Sequence, residues 1–314
     1  MSEFILLVGH GSRDDDGNQE FQAFVESYRT RWQNSNVESC FLELANPTIL
    51  DGVDACVARG ATRIVAVPVI LLAASHVKLE IPEFLDAGRK KYPNVEMVYG
   101  RNIGLHEEMI DLLSARFGEQ VTDVLPNETS IVLMGRGSSD PDANGDLYKI
   151  ARQLWERTGV QNVEVCFTGI TFPRFPDGIR RAVKLGAKRI VVVPYFLFTG
   201  VLIKRMQGVL EQLQMEFPHV SMTMAGYFGD HPVLLEIVRQ RCEEAAVGQS
   251  FMNCDLCQYR KLAAAHHDHD HHDHHDHHDH HDHHDHHRDE RRDAEQEQTT
   301  PALTQSGSPR GMHS

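Results

Sequence analysis

LLVGHGSRDDDGN, residues 6–18, runs an unbroken apolar stretch into a histidine held between two glycines and then into an acidic segment. A short, continuous apolar run with helix-start signals behind it predicts a buried strand of a parallel sheet over residues 4–8. His10 then lies just past the strand's carboxyl end. Ligands of open α/β sheets bind at that edge, and Gly9 and Gly11 let the backbone turn tightly and come close to one. The acidic residues of 14–18 read as capping and solvation of the next helix rather than as a metal site.

The stretch has a second copy. SIVLMGRGSSDPDAN, residues 130–144, repeats it at an offset of 126, and the correspondence runs on for most of a domain length. Gly9, Gly11, Ser12, Asp14, Asp16 and Asn18 recur as Gly135, Gly137, Ser138, Asp140, Asp142 and Asn144. Cys40 and Phe41 recur as Cys166 and Phe167, and Arg63, Ile64, Val65 and Pro68 as Arg189, Ile190, Val191 and Pro194. The period is far too long for stacked small repeats, so this is a duplicated domain.

Differences between the copies carry the chemistry, since both must keep what folding needs and only one need keep what reacts. His10 becomes Arg136, Glu43 becomes Gly169 and His76 becomes Leu202. All three positions fall at or just beyond predicted strand ends, where they can converge on one crevice. Two imidazoles and a carboxylate there can bind a divalent first-row metal and accept protons near neutral pH.

Periodicity predicts a helix over 18–33 with Phe21, Phe24, Val25, Tyr28 and Trp32 on one face, then a strand over 37–44 ending near Glu43. A helix from Pro47 to Arg59 stops at Gly60, and a strand covers 64–69. LLAASH, residues 71–76, leads into an amphipathic helix with His76 near its first turn. A strand over 95–98 and a helix over 105–117 end the first half. His106, which recurs as His231 after a one-residue slip, reads as structural. The second half repeats the order, with strands near 130–134, 162–167, 189–194 and 220–224. Strand alternating with helix predicts an α/β protein of two similar doubly wound lobes with parallel sheets, 1–119 carrying the reactive residues and 129–247 a degenerate copy, joined by a linker at 120–128.

With 314 residues and 41% hydrophobic content the chain can build two ordinary domains, each with its own core. Of the formal net charge of −14, residues 261–314, with 12 acidic and 5 basic side chains, supply −7. The rest is mildly acidic and has no clustered basic surface for nucleic acid. No run is long and apolar enough to span a membrane, and the start carries no secretory signal, which predicts a soluble cytoplasmic protein. Six cysteines in such a chain make no disulfide scaffold, and Cys40 and Cys166 read as reduced core residues. Neither GxxxxGK[ST] nor GxGxxG occurs, so ATP and NAD are not indicated.

Beyond the last helix come Cys254 and Cys257, spaced C-x-x-C within segment 248–262, and then an aspartate-interleaved tract with 15 histidines between residues 266 and 287. Two thiolates at that spacing can reach one metal or cluster. An ordinary iron–sulfur cluster needs four, so a second chain or other ligands must complete it, which admits a homodimer through a shared cluster. The tail, 263–314, has too little apolar content for a core and is expected to be disordered without metal. Its imidazoles offer ligands for Ni, Co, Zn or Cu.

Taken together, residues 6–18, FLELANPTI at 41–49, VPVILLAASHVKLEIP at 67–82, MNCDLC at 252–257 and the histidine tract closely resemble the long form of the sirohydrochlorin cobaltochelatases, in the class II chelatase family. The resemblance implies two similar α/β lobes around a cleft, and ATP-independent insertion of Co²⁺ into sirohydrochlorin on the anaerobic route to cobalamin. It carries His10 and His76 over as metal ligands and proton acceptors, Glu43 as the cleft carboxylate, and Cys254 and Cys257 as the motif of a 4Fe-4S cluster. Sirohydrochlorin's eight carboxylates need cationic partners, for which Arg13, Lys78 and Arg136 are candidates by position. The same fold inserting Fe²⁺ for sirohaem is the nearest rival. A metal-storage or delivery protein is the alternative of another class, and retention of His10, Glu43 and His76 in only one half argues against it.

Overall fold

The computed structural model describes residues 2–121 and 127–249. Part of the expected linker, the C-x-x-C cysteines Cys254 and Cys257, and the His/Asp tail at 263–314 lie outside the described residues.

The first half forms β1 (Glu3–Gly9), α1 (Asp15–Trp32), β2 (Val37–Phe41), α2 (Ile49–Ala58), β3 (Arg63–Pro68), a five-residue π-helical segment (His76–Glu80), α3 (Ile81–Lys91), β4 (Glu96–Tyr99) and α4 (Glu107–Gly118). The second forms β5 (Thr129–Gly135), α5 (Pro141–Thr158), β6 (Asn162–Phe167), α6 (Phe175–Lys184), β7 (Arg189–Pro194), α7 (Val201–Glu216), β8 (Ser221–Met224) and α8 (Pro232–Ala246). Each half is a four-stranded parallel sheet, ordered β2-β1-β3-β4 and β6-β5-β7-β8. Val8 lies level with Cys40 and Pro68, so the chain leaves β1, β2 and β3 at one edge. Among the described residues no helix is long and apolar enough to cross a membrane.

Local sequence explains the elements. β1 and β3 are central and apolar on both faces, as strands covered on two sides must be. The acidic run does cap α1: the Asp14 side chain accepts from the Asp16 amide. α2 starts two residues later than expected because Thr48 and Asp51 form a capping box. His106 and His231 both act as N-caps, accepting from Glu108 and Val233 amides.

The expectation of one core per lobe is corrected. Two apolar clusters do belong to single halves, one where Leu6, Val8 and Ile64 meet Ile49, Val53, Ile81 and Leu85, and its counterpart around Val132, Ile190 and Ile179. The third is common to both. It joins Leu7, Val65 and Val67 of the first sheet to Ile131, Leu133 and Val191 of the second, through residues of α1, α4, α5 and α8. The closing helices cross over to do this: α8 packs on β3, β4 and α1, whereas α4 packs on β7 and α5. Periodicity shows that such a helix has an apolar face but not which sheet the face will cover.

The crossing is tied reciprocally. Arg241 of α8, 1% exposed, donates through Nη2 to the Ile103 carbonyl of the first half at 2.8 Å. Arg116 of α4 donates to the Phe228 carbonyl of the second at 3.3 Å. Nearer the carboxyl edge, Lys78 Nζ reaches Asp140 and Asp142 at 2.6 and 3.2 Å, and its duplicate Lys204 reaches Asp14 and Asp16 at 2.8 and 2.6 Å.

Because one core serves both sheets, chemical denaturation should give a single transition, followed by far-ultraviolet circular dichroism and tryptophan fluorescence together. Two resolved transitions would show independent lobes. Arg241→Met should lower stability by roughly 2–4 kcal/mol, since it leaves the buried carbonyls of Asn102 and Ile103 without their donor, while Glu244 keeps Arg101.

Candidate active site

Between the carboxyl edges of the two sheets lies a cavity of about 510 Å³, lined from the first half by His10, Leu72 and His76 and from the second by Arg136, Phe198 and Leu202, among others. His10 follows β1 and Glu43 lies two residues beyond β2. Their loops are stitched together, with the Glu43 amide donating to the His10 carbonyl at 3.0 Å. Gly11 makes that approach possible. It sits at φ +91°, and a Cβ there would fall 1.7 Å from the Glu43 carbonyl oxygen.

His76 is brought in by the π-helical segment that begins with it, whose wider turn puts the Ile81 amide on the His76 carbonyl. Its ring lies edge-on to that of His10, centroids 4.9 Å apart. One ligand atom from each of His10, Glu43 and His76 falls within 4.8 Å of the others. The three residues found by comparing the two halves therefore do converge.

Hydrogen bonding fixes the form of His10. Nδ1 is 3.0 Å from the Gly11 carbonyl, which only accepts, so that nitrogen carries the proton. Nε2 is 2.7 Å from Arg136 Nη1, which only donates, so Nε2 presents a lone pair. The ring is neutral. Glu43 Oε1 stands 3.6 Å from the same Nε2. Burial chiefly, with the charges of Arg136 and His76 adding, holds His10 below its ordinary 6.5, against the upward pull of the Gly11 carbonyl and Glu43.

Glu80 escaped the sequence reading. Its Oε1 stands 2.9 Å from His76 Nδ1, beside the ring but out of line for a hydrogen bond. The i,i+4 spacing from His76 was the signal available for it.

Two imidazoles and one carboxylate on one wall, open to a cavity, make a seat for a divalent first-row cation with positions left for exchange. The opposite wall offers no equivalent, because Arg136, Gly169 and Leu202 stand at the matching positions. The remainder of the lining is largely apolar. Leu44 and Ile170, duplicates of one another, are exposed at its rim in left-handed conformations, φ 61° and 63°. For a β-branched residue such as Ile170 that backbone is strained.

Of the three cationic candidates, Arg13 and Arg136 line the cavity. Lys78 does not, and the expectation for it is corrected: its ammonium is engaged with Asp140 and Asp142 and clasps the two halves together. Its partners lie 62 and 64 residues away, out of reach of local pattern. Cys40, Cys56, Cys166 and Cys242 are buried free thiols. Burial raises all four, Cys56 and Cys242 to about 12, so none offers a thiolate near neutral pH.

The CbiX family model matches the chain twice, over residues 4–120 and 130–245, once in each half. The chain is 48% identical to the sirohydrochlorin cobaltochelatase of Priestia megaterium, over 84% of this chain and 87% of that one. It is 39% identical to the sirohydrochlorin ferrochelatase of Priestia megaterium, over 74% of this chain and 87% of that one. Among solved structures, SirB from Bacillus subtilis with Fe³⁺ is similar at a TM-score of 0.69 and 35% identity, over 79% of this chain and 98% of that one. The class II chelatase fold expected from the sequence, two similar parallel-sheet α/β lobes, is borne out.

In an NMR titration the His10 ring should protonate with a midpoint below 6.5, and Arg136→Met should move that midpoint upward by removing a neighbouring positive charge. The lowered value means that acid favours the unfolded chain. Stability contributed by this group is full above the unfolded value and declines as pH falls from 6.5 to the folded midpoint. A midpoint above 6.5 would contradict the neutral, guanidinium-capped ring.

Proposed function

Since the chain belongs to the CbiX family, we propose that it is a sirohydrochlorin cobaltochelatase, inserting Co²⁺ into sirohydrochlorin without ATP on the anaerobic route to cobalamin. The observation that carries this reading is the meeting of His10, Glu43 and His76, ligand atoms within 4.8 Å of one another, beside a cavity that the two histidines line, in a chain 48% identical to a sirohydrochlorin cobaltochelatase over most of both lengths.

Insertion exchanges two pyrrole protons for one divalent cation. His10 Nε2, His76 and Glu43 hold the incoming Co²⁺, a substrate here, through bonds that neutral imidazole and carboxylate can exchange. Glu43 supplies the negative charge that draws the cation in. As the macrocycle closes around the metal, the released imidazoles and Glu43 take up its protons and pass them to water at the open side of the cavity. Apolar walls receive the flat ring system, while Arg13 and Arg136 meet its carboxylates. Product leaves by the same mouth.

The cysteine motif belongs to the same proposal. Cys254 and Cys257 provide two of the four thiolates a 4Fe-4S cluster takes. The other four cysteines are buried in the cores, which supports completion of the set by a second copy of the chain or by ligands other than cysteine. Such a cluster would supply a structural link, electron transfer or redox sensing. The histidine tract collects divalent metal, and the compartment is the cytoplasm.

Anaerobic absorption spectroscopy of the protein with sirohydrochlorin and each of Co²⁺ and Fe²⁺ tests the activity. Rapid metallation by Co²⁺ is expected, slowed at least about 100-fold in His10→Ala. Faster insertion of Fe²⁺ would make the chain a ferrochelatase, and no acceleration over the protein-free reaction would leave metal storage as the reading. Gel filtration of anaerobically purified protein should give a dimer with iron–sulfur absorption, and Cys254→Ser should lose both features. An iron-loaded monomer would overturn the shared cluster.

A further inference from the structure

The cavity holds a cation of its own. Arg136 Nη1 lies 2.7 Å from His10 Nε2, the one ring nitrogen left to bind metal once Nδ1 is committed to the Gly11 carbonyl. The guanidinium therefore covers the lone pair that an incoming metal needs, and it does so 126 residues away from the histidine, from the opposite wall. A divalent ion on Nε2 would meet this positive charge at close range, so the two cations compete for one place.

Two features make the cover removable. Arg136 is exposed and stands on a loop at the end of β5, on a long side chain. It also has no carboxylate partner among the described residues, because the position that would match Glu43 in its own half is Gly169. A hydrogen bond from a charged guanidinium to a neutral imidazole is weaker than the bidentate, charge-matched pair it can form with a carboxylate. A polycarboxylate arriving in the cavity offers such a pair.

We propose that Arg136 is a displaceable internal counter-cation that keeps His10 Nε2 covered until a carboxylate of the tetrapyrrole draws it away, so that macrocycle binding opens the metal seat. The proposal rests on the chelatase reading. It makes Arg136 a positioning residue that couples two substrates. Metal alone binds weakly, metal with macrocycle binds well, and by linkage each favours the other to the same degree.

The test is a Co²⁺ titration of the full chain by isothermal calorimetry without tetrapyrrole, comparing wild type, Arg136→Met and His10→Ala. The His10→Ala protein measures the binding due to the histidine tract, and the excess over it is the cavity site. Arg136→Met should bind Co²⁺ at that site about tenfold more tightly, as expected when a hydrogen bond to a charged group no longer has to be broken. In steady-state metallation the same variant should show a lower KM for Co²⁺ and a higher KM for sirohydrochlorin. Arg136→Lys, which keeps the charge, should stay near wild type in Co²⁺ affinity. If His10→Ala loses the site but Arg136→Met binds Co²⁺ no more tightly, or its KM for sirohydrochlorin is unchanged, the gating proposal is overturned and the chelatase stands. If His10→Ala titrates like wild type, the metal seat itself is misplaced, and the chelatase reading of these residues fails with it.

Discussion

Neither sheet can bury its inner face without the last helix of the other half. That exchange, α8 onto the first sheet and α4 onto the second, is the constraint from which the remaining geometry follows. Two lobes merely tethered by a linker would be free to hinge, and residues on facing edges would meet only transiently. Here the shared core sets the distance between the two carboxyl edges. Arg241 and Arg116 hold the crossed helices to carbonyls of the opposite half, and Lys78 and Lys204 clasp the edges nearer the cavity. A contact as close as Arg136 on His10 needs that rigidity.

On this frame the chemistry is all one-sided. The half that retains His10, Glu43 and His76 supplies the cation seat, and backbone detail sharpens it. Gly11 lets two loops touch, the π-helical turn presents His76, and the Glu80 carboxylate stands beside that ring. The other half contributes a guanidinium and apolar surface. A cavity so divided suits a reaction that must bring together a divalent cation and a flat polyanion without letting either block the other. Strain at Leu44 and Ile170, at matching places on the rim, belongs to the same arrangement: both halves keep an uncommon backbone there although their functional side chains have diverged.

Much of this is legible in the amino-acid sequence. The apolar run of β1 ending at His10 implies a parallel sheet with an active edge, and the offset of 126 residues implies a second one. Subtracting one half from the other isolates three residues that do meet in space. What cannot be read is whatever depends on the partner a surface finds. The apolar faces of α4 and α8 look alike whether they fold back or cross over. Lys78, at the start of a helix beside His76, has the sequence position of a cavity residue, and its turn toward Asp140 is decided by the packing of the two halves. The π-helical turn has no periodic signature over five residues, which leaves the i,i+4 spacing from His76 as the one pointer to Glu80.

The reciprocal ion pairs show how nearly the molecule is a two-fold pair of equal halves, and that near-symmetry throws the one broken contact into relief. In a strictly two-fold assembly the residue opposite His10 would be its own image, ligand against ligand. Two equivalent seats would then look into one chamber, and a flat guest could enter either way up with the same result. Covalent joining of the halves lifts that degeneracy, because position 136 is free to become arginine while position 10 stays histidine. The chamber acquires a front and a back. A guest that entered the other way up would meet arginine where it had met histidine, so the two orientations are no longer equivalent.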